Sequence, residues 1–292
     1  MRRPTEARLT RRRAVAGVLA AGGAVLAAPA VRAAAAPFRL GLTPVFLDSD
    51  AVVVDALEAA LADLLGRRVV PEQRRTYAEV TQMLLDDAID GAWLCGYPYL
   101  QHRDALDVAA VPVWRGRPLY QSYLIVHRDD PARSLADLEG SFHAFSDPDS
   151  NSGYLVTASD LARMGRRPEE FFSRVIFTYG HRNVVRAVAS GLVRSGSVDG
   201  YVWEVLNDRE PAITARTRVI ARSEWLGFPP FCVHRSRVGE PAIEAFRKAL
   251  LALHRTGPGR RALALLELDR MTPATPGLFA GIAARMRLIR RA

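Results

Sequence analysis

Cysteine is scarce in this chain of 292 residues: there are two, Cys95 and Cys232. No C-x-x-C pair exists, which removes the common zinc and dithiol readings. An exported chain could join the two, but two buried free thiols are the expected state. Lysine is scarcer still, with Lys248 alone. The sequence has no G-x-S-x-G elbow, no H-E-x-x-H, no phosphate-cradling P-loop and no G-x-G-x-x-G. No two histidines stand at metal-ligand spacing. The adjacent acids Asp86-Asp87 and Asp129-Asp130 diverge on a helix or strand, so they read as caps and turns. Nothing here makes a convergent acid–base pair, a metal site or a cofactor site, and the expectation is a protein that is not an enzyme and carries no cofactor.

The net charge of +9 is unevenly placed. Residues 1–33 hold seven arginines against Glu6, so +6 of it lies there and the remainder carries +3. That is too weak a field to support nucleic-acid binding. The same segment has the parts of an export signal. Basic residues precede an apolar run over Ala14–Ala30, and small residues follow at Ala33–Ala36. Thr10-Arg11-Arg12 ahead of the run suggests the twin-arginine route. The alternative, a retained anchor, would be at the short end for a spanning helix and poor in Leu, Ile and Phe. Residues 1–35 are therefore read as an export signal, and the protein as periplasmic or otherwise extracytoplasmic.

From Phe38 onward, short apolar strands alternate with amphipathic helices, which predicts a layered α/β architecture. Strands are expected at Phe38–Leu42, Arg68–Val70, Asp90–Cys95, Leu106–Trp114, Leu119–His127 and Ser141–Ser146. More follow at Arg174–Thr178, Ser197–Tyr201 and Thr217–Ala221. Asp50 should cap a helix running to Leu65, and Thr76-x-x-Glu79 is a capping box. Helices are also expected at Ser152–Met164, His181–Ser190 and Trp203–Leu206. Three more close the chain, near Ala242–His254, Pro258–Leu266 and Pro276–Ile289. Two crossings, near Gln121–Ile125 and Trp225–Phe231, divide it into residues 36–121 with 225–292, and residues 122–224. Ligands of such sheets bind beyond the carboxyl ends of the strands.

The strongest local signal is Asp147-Pro-Asp-Ser-Asn-Ser-Gly153. A strand ends, and Ser150, Asn151 and Ser152 open a helix. Free amides at a helix start favour an anion, and the side chains add donors. The same residues could simply cap the helix. His181 also opens a helix and can donate to an oxyanion, or it could be an exposed helix-start residue. Tyr97, Tyr99, Tyr120 and Tyr123 cluster near strand ends, suited to a half-apolar cleft or to core packing. Tyr201 and Trp203 could floor such a pocket, while Glu204 reads as surface. His102, His127, His143, His234 and His254 read as surface or packing residues.

Asp147-Pro-Asp-Ser-Asn-Ser-Gly-Tyr-Leu-Val156 resembles the Asp-Pro-x-Ser-Thr-Ser-Gly-Tyr-Leu segment of the PhnD-like phosphate/phosphite/phosphonate-binding family. Asp90-Gly-Ala-Trp-Leu-Cys-Gly-Tyr-Pro-Tyr99 is similar to its Val-Asp-Ile-Ala-Trp-Leu-Gly-Pro segment. Pro118–Val126 resembles its crossing strand. Val175–His181, Ala187–Leu192 and Val198–Gly200 resemble its Phe-x-Gly-x-His, Ala-Val-Ala-x-Gly and Val-Asp-Ala run. The resemblance spans residues 37–240, in order. It implies a type II periplasmic binding protein, two α/β lobes joined by a hinge, that serves an ABC importer. It also implies a small anionic ligand held by Ser150, Asn151, Ser152 and His181, with Tyr97 or Tyr99 and Tyr120 coming from the other lobe or the hinge; Tyr201 is expected beneath them at the floor. The partner would be an inner-membrane ABC permease, and a monomer suits docking there. Two departures stand out: Asn151 replaces a Thr, and Leu226-Gly-Phe-Pro-Pro-Phe231 lacks an acid that would meet a ligand amine. Phosphonate, phosphite and phosphate stay open, as do a sulfonate, a thiamine-related ligand, or a sensor domain partnering a membrane kinase.

Overall fold

The computed structural model describes residues 36–45 and 51–290. The expected export signal and the Asp50 cap lie outside them. The first sheet draws strands from both ends of the chain. They are β1 (Phe38–Leu42), β2 (Val69–Gln73), β3 (Gly91–Trp93), β4 (Leu106–Val113), β12 (Phe231–His234) and β13 (Arg270–Thr272). Their order is β13-β4-β12-β3-β1-β2, with β12 antiparallel between β3 and β4. The second sheet comes from one continuous stretch. It holds β6 (Ser122–His127), β7 (Phe142–Phe145), β8 (Arg174–Phe177), β9 (Ser195–Asp199) and β10 (Thr217–Arg222), in the order β10-β6-β9-β7-β8. A ladder of β5 (Leu119–Tyr120) and β11 (Leu226–Gly227) marks where the chain passes from one sheet to the other and back. Beside it Ser223 N–H donates to Ser122 O (2.9 Å) and Ser122 N–H to Ser223 Oγ (2.9 Å), tying the two passages together.

Helices cover the sheets: α1 (Ala51–Leu65), α2 (Tyr77–Leu85), α3 (Gly96–Gln101), α4 (Val156–Arg163), α5 (Pro168–Phe171), α6 (His181–Ala189), α7 (Gly200–Arg209), α8 (Pro211–Thr214), α9 (Pro241–Ala252), α10 (Gly257–Leu265) and α11 (Ala280–Ile289). None is long and apolar enough to cross a membrane among the described residues. The capping box at Thr76 forms as expected: Thr76 Oγ1 accepts from Glu79 N, and Glu79 returns a carboxylate to the Thr76 amide. In the first core Phe38 lies 4.5 Å from Phe246, centroid to centroid.

Among the boundaries that differ from the sequence reading, three have a clear local reason. The expected strand Leu119–His127 breaks at Gln121, because Tyr120 pairs with Leu226 while Ser122 pairs with Asp199 in the other sheet. The strand expected at Ser197–Tyr201 ends at Asp199. That carboxylate accepts from the Tyr201 and Val202 amides and starts α7 at Gly200. The helix expected from Ser152 begins as a π-turn, Asn151–Leu155, before α4. Such widened turns recur at functional sites.

Buried polar groups brace both halves. His143 on β7 is fully enclosed. It hydrogen-bonds Ser195 Oγ through Nδ1 (2.7 Å) and Ser197 Oγ through Nε2 (3.0 Å), and stacks on Phe172. Arg285 on α11 is 3% exposed and binds Glu224 at the second passage together with Val156 O, Ser159 and Asp160 of α4. Glu204, expected at the surface, is largely covered: it accepts from Tyr123 Oη (2.8 Å) and pairs with Arg115.

Candidate functional site

The carboxyl ends of both sheets meet at a narrow cavity. Thr43, Tyr77, Trp93 and Cys95 line it from the first sheet's side, Ser152, His181, Asp199 and Tyr201 from the second, with Phe228 and Pro229 between. It leaves about 20 Å³ for water-sized particles, room for roughly one or two waters. Trp93 Nε1–H donates to Pro229 O (2.9 Å), fastening the apolar wall.

The loop after β7 builds the polar side. Asp147 Oδ1 accepts from Asp149 N (2.8 Å), which tightens the loop. Its Oδ2 accepts from Tyr77 N (3.1 Å), the first residue of α2 across the cavity. Ser150 Oγ accepts from Gly153 N (3.0 Å), so Ser150 does cap the turn. Asn151 N–H donates to Cys95 Sγ (3.3 Å), and Asn151 Nδ2 donates to Tyr120 Oη (2.8 Å). Ser152 O accepts from Ser122 Oγ (2.6 Å), which ties the turn to the first passage. Gly153 is required by a close approach: a Cβ there would stand 1.8 Å from Ser146 Oγ.

The protonation of His181 follows from its partners. The Asp199 amide donates to Nδ1 (3.1 Å), so that nitrogen is bare and Nε2 carries the proton. Nε2 lies 3.2 Å from Tyr77 Oη. Burial pushes the ring's pKa down to about 3, so it is neutral near pH 7 and acts as an N–H donor. Burial also drives the Tyr77 phenol well above its ordinary range, keeping its proton. Burial raises Asp199 to about 7, against two backbone hydrogen bonds that act the other way. Asp147 is raised by burial as well. Among the described residues, no lysine or arginine lines the cavity. With its Nε2–H directed at Tyr77 Oη, His181 orients the phenol, and the site offers neutral donors from Tyr77 and Ser152, plus one carboxyl that titrates near neutrality. Neutral donors and a helix start bind an anion without a counter-charge. A carboxyl near pH 7 favours an anion that can carry a proton.

Of the residues singled out from the sequence, Ser152, His181 and Tyr201 line the cavity. Ser150, Asn151 and Tyr120 are fully buried beside it. Tyr97 is buried on α3 and faces Asp149. Tyr99 points elsewhere: its ring lies 5.2 Å from Phe279 and lines a separate open groove of about 770 Å³. That groove is wider, and its Arg247 already pairs with Asp107 and Glu244. Sequence reasoning passed over Tyr77, Asp199 and Cys95. The capping box and the Val198-Asp199-Gly200 run were visible signals for the first two. Cys95 and Cys232 are both free and buried.

The chain matches the family model described as "ABC transporter, phosphonate, periplasmic substrate-binding protein" over residues 40–278. Among solved structures it is similar to a binding protein component of an ABC phosphonate transporter from Pseudomonas aeruginosa, with 21% identity, 87% of each chain covered and a TM-score of 0.80. It is also similar to PhnD1 from Prochlorococcus marinus in complex with methylphosphonate, with 17% identity, 87% of this chain and 98% of that one covered, and a TM-score of 0.77. A Xanthomonas citri protein bound to ATP follows at 18% identity, 87% and 97% coverage and a TM-score of 0.69. No protein of curated function matches in sequence.

Proposed function

The chain belongs to the periplasmic substrate-binding proteins of ABC phosphonate transporters, and on that premise we propose that it captures a small, singly protonated phosphorus oxyanion between its two sheets. One observation carries this reading. Tyr77 Oη, oriented by His181 Nε2–H, and Ser152 converge on a cation-free cavity at the start of a helical turn, opposite a carboxyl that titrates near pH 7. The donors would hold the charged oxygens, and ionised Asp199 would accept the ligand's remaining P–OH. The neighbouring turn of Ser150, Asn151 and Ser152 would fix their spacing, Tyr120 would hold Asn151, and Tyr201 would close the floor.

Residues 36–121 with 225–292 would move as one lobe and residues 122–224 as the other, about the tied passages at Ser122 and Ser223. Four contacts join the lobes at the cavity in the closed arrangement: Asp147 to the Tyr77 amide, Tyr77 to His181, the Asn151 amide to Cys95, and the Asn151 side chain to Tyr120. Ligand would add donors to the same seam and so shift an open–closed equilibrium toward closure. Residues 1–35 would direct export by the twin-arginine route, and the closed monomer would present its ligand to the permease. Phosphite and methylphosphonate fit the narrow cavity better than a ligand with an amine, for which Phe228 and Pro229 offer no partner.

Calorimetric titration tests this with phosphite, phosphate, methylphosphonate, 2-aminoethylphosphonate, sulfate and taurine. A phosphorus oxyanion should bind tightly, and Ser150→Ala with Ser152→Ala should weaken it about a hundredfold, through loss of the Ser152 hydrogen bond to a charged group and of the Ser150 cap that holds the turn. Binding unchanged in the double variant, or binding of taurine alone, sinks the assignment.

A further inference from the structure

We infer that Cys95 sets the size limit of the ligand site, its sulfur taking up a backbone donor that would otherwise meet the anion. The inference rests on the function proposed above and names the chemical class within it: phosphorus oxyanions whose fourth substituent is hydrogen or methyl.

The first amides of a helical run have no partner within it and are the groups that favour anions. In the turn that opens α4, the Gly153 amide is given to Ser150 Oγ. The Asn151 amide is given to Cys95 Sγ at 3.3 Å. Ser152, between them, faces the cavity. A thiol is a weak acceptor, yet it fills the place where an oxyanion oxygen would receive this N–H. The Tyr97 amide and the Tyr120 hydroxyl also face the sulfur, and the Asn151 side chain is turned away to Tyr120 Oη. Cys95 thus sits at a convergence of donors while lining the cavity itself.

Its chemistry suits a wall and not a reactive group. Burial raises the thiol to about 11, so it stays protonated and uncharged. Together with Trp93, Phe228 and Pro229 it gives the cavity an apolar, polarizable side. As it stands the cavity holds only roughly one or two waters, so a bound oxyanion must part its walls, and Cys95 is one of the walls that limits the size of the fourth substituent. Asn151 Oδ1, fully buried and without a hydrogen-bond partner, marks a further polar atom beside the same sulfur.

The test compares Cys95→Ala and Cys95→Ser with the unmodified protein, titrating methylphosphonate and ethylphosphonate by calorimetry and following the Asn151 amide by NMR. The unmodified protein should favour methylphosphonate. Cys95→Ala should shift the ratio toward ethylphosphonate by about tenfold or more, the scale of one methylene in a pocket, and the Asn151 amide resonance should then respond to ligand. Cys95→Ser, which restores an acceptor, should fall between. An unchanged ratio in folded Cys95→Ala, with the Asn151 resonance unmoved, overturns the inference and leaves the proposed function standing. Silence of all three proteins toward both phosphonates overturns the inference, and silence toward phosphite and phosphate as well overturns the proposed function.

Discussion

Replacing Asp199 by asparagine should make the protein more stable in mild alkali and less selective at its site. The carboxyl is buried, and burial lifts its pKa from an ordinary 3.8 to about 7. Ionisation is easier in the unfolded chain than in the fold. The Asp199 contribution is therefore fully present below pH 3.8 and is lost as pH rises through 7. By linkage, every tenfold difference in acidity between the folded and unfolded chain is worth about 1.4 kcal/mol. Part of the loss has occurred by pH 5, so about 3 kcal/mol remains to be lost between pH 5 and pH 9. Asparagine keeps the acceptor oxygen for the Tyr201 and Val202 amides and does not titrate. Denaturant unfolding at the two pH values reads the difference directly. Asp199→Asn should gain about 3 kcal/mol on the unmodified protein across that interval, or roughly 5–10 °C in melting temperature for a chain this size. Calorimetry supplies a second reading. An ionised carboxylate accepts a P–OH and repels an anion with no proton to give, whereas an asparagine amide donates to either. Sulfate, excluded by the unmodified protein at pH 8, should bind the variant. Parallel stability curves from pH 5 to pH 9 would show that Asp199 is already charged at low pH, and the proton-sharing account of the site would fall with them.

Two further outcomes follow from other buried groups. His143 and His181 are both held near 3 by burial, below an ordinary 6.5, so their contribution is complete above pH 6.5 and is lost as pH falls toward 3. In the Asp199→Asn background, where the opposing carboxyl is absent, unfolding free energy should drop by about 4 kcal/mol from pH 7 to pH 5, and adding His143→Phe should halve that drop; a slope indifferent to His143 refutes it. Gly153→Ala should destabilise by about 1–3 kcal/mol through overpacking against Ser146 Oγ and weaken oxyanion binding, since the turn must shift; thermal unfolding and titration near wild-type values would show that the close approach relaxes freely.

The legible parts of the chain were those where local chemistry and global fold agree. Alternating apolar strands and helices forecast the layers, and the loop from Asp147 to Gly153 announced itself by small polar residues ahead of a helix. His181 could be placed because a strand and a glycine precede it. The illegible parts depend on what lies opposite. Tyr77 looks like an ordinary first residue of a capped helix. Its role comes from Asp147 and His181, which are 70 and 104 residues away. Tyr97 and Tyr99 are two apart on α3, a spacing that turns their side chains to different faces. One meets Asp149 and the other Phe279, and nothing local distinguishes them. Asp199 read as the middle of a strand because its capping bonds are made forward, to residues the strand pattern also covered. Cys95 read as a small core residue, which by burial it is.

Because β12 lies between β3 and β4, the pairing of Trp93 with Phe231 has the whole second sheet between its two partners in the chain. Closing that contact in an open chain joins residues well over a hundred positions apart. The second sheet needs only its own stretch, and once formed it holds Ser122 beside Ser223. It then acts as a staple, cutting the segment still to be closed to a few tens of residues and lowering the closure cost by about 1 kcal/mol. The inserted sheet is thus expected to fold first and to set the rate at which the outer one is completed. Sequence changes that slow the insert would delay the entire protein, while changes in the last strands would leave the insert formed and the cavity half built.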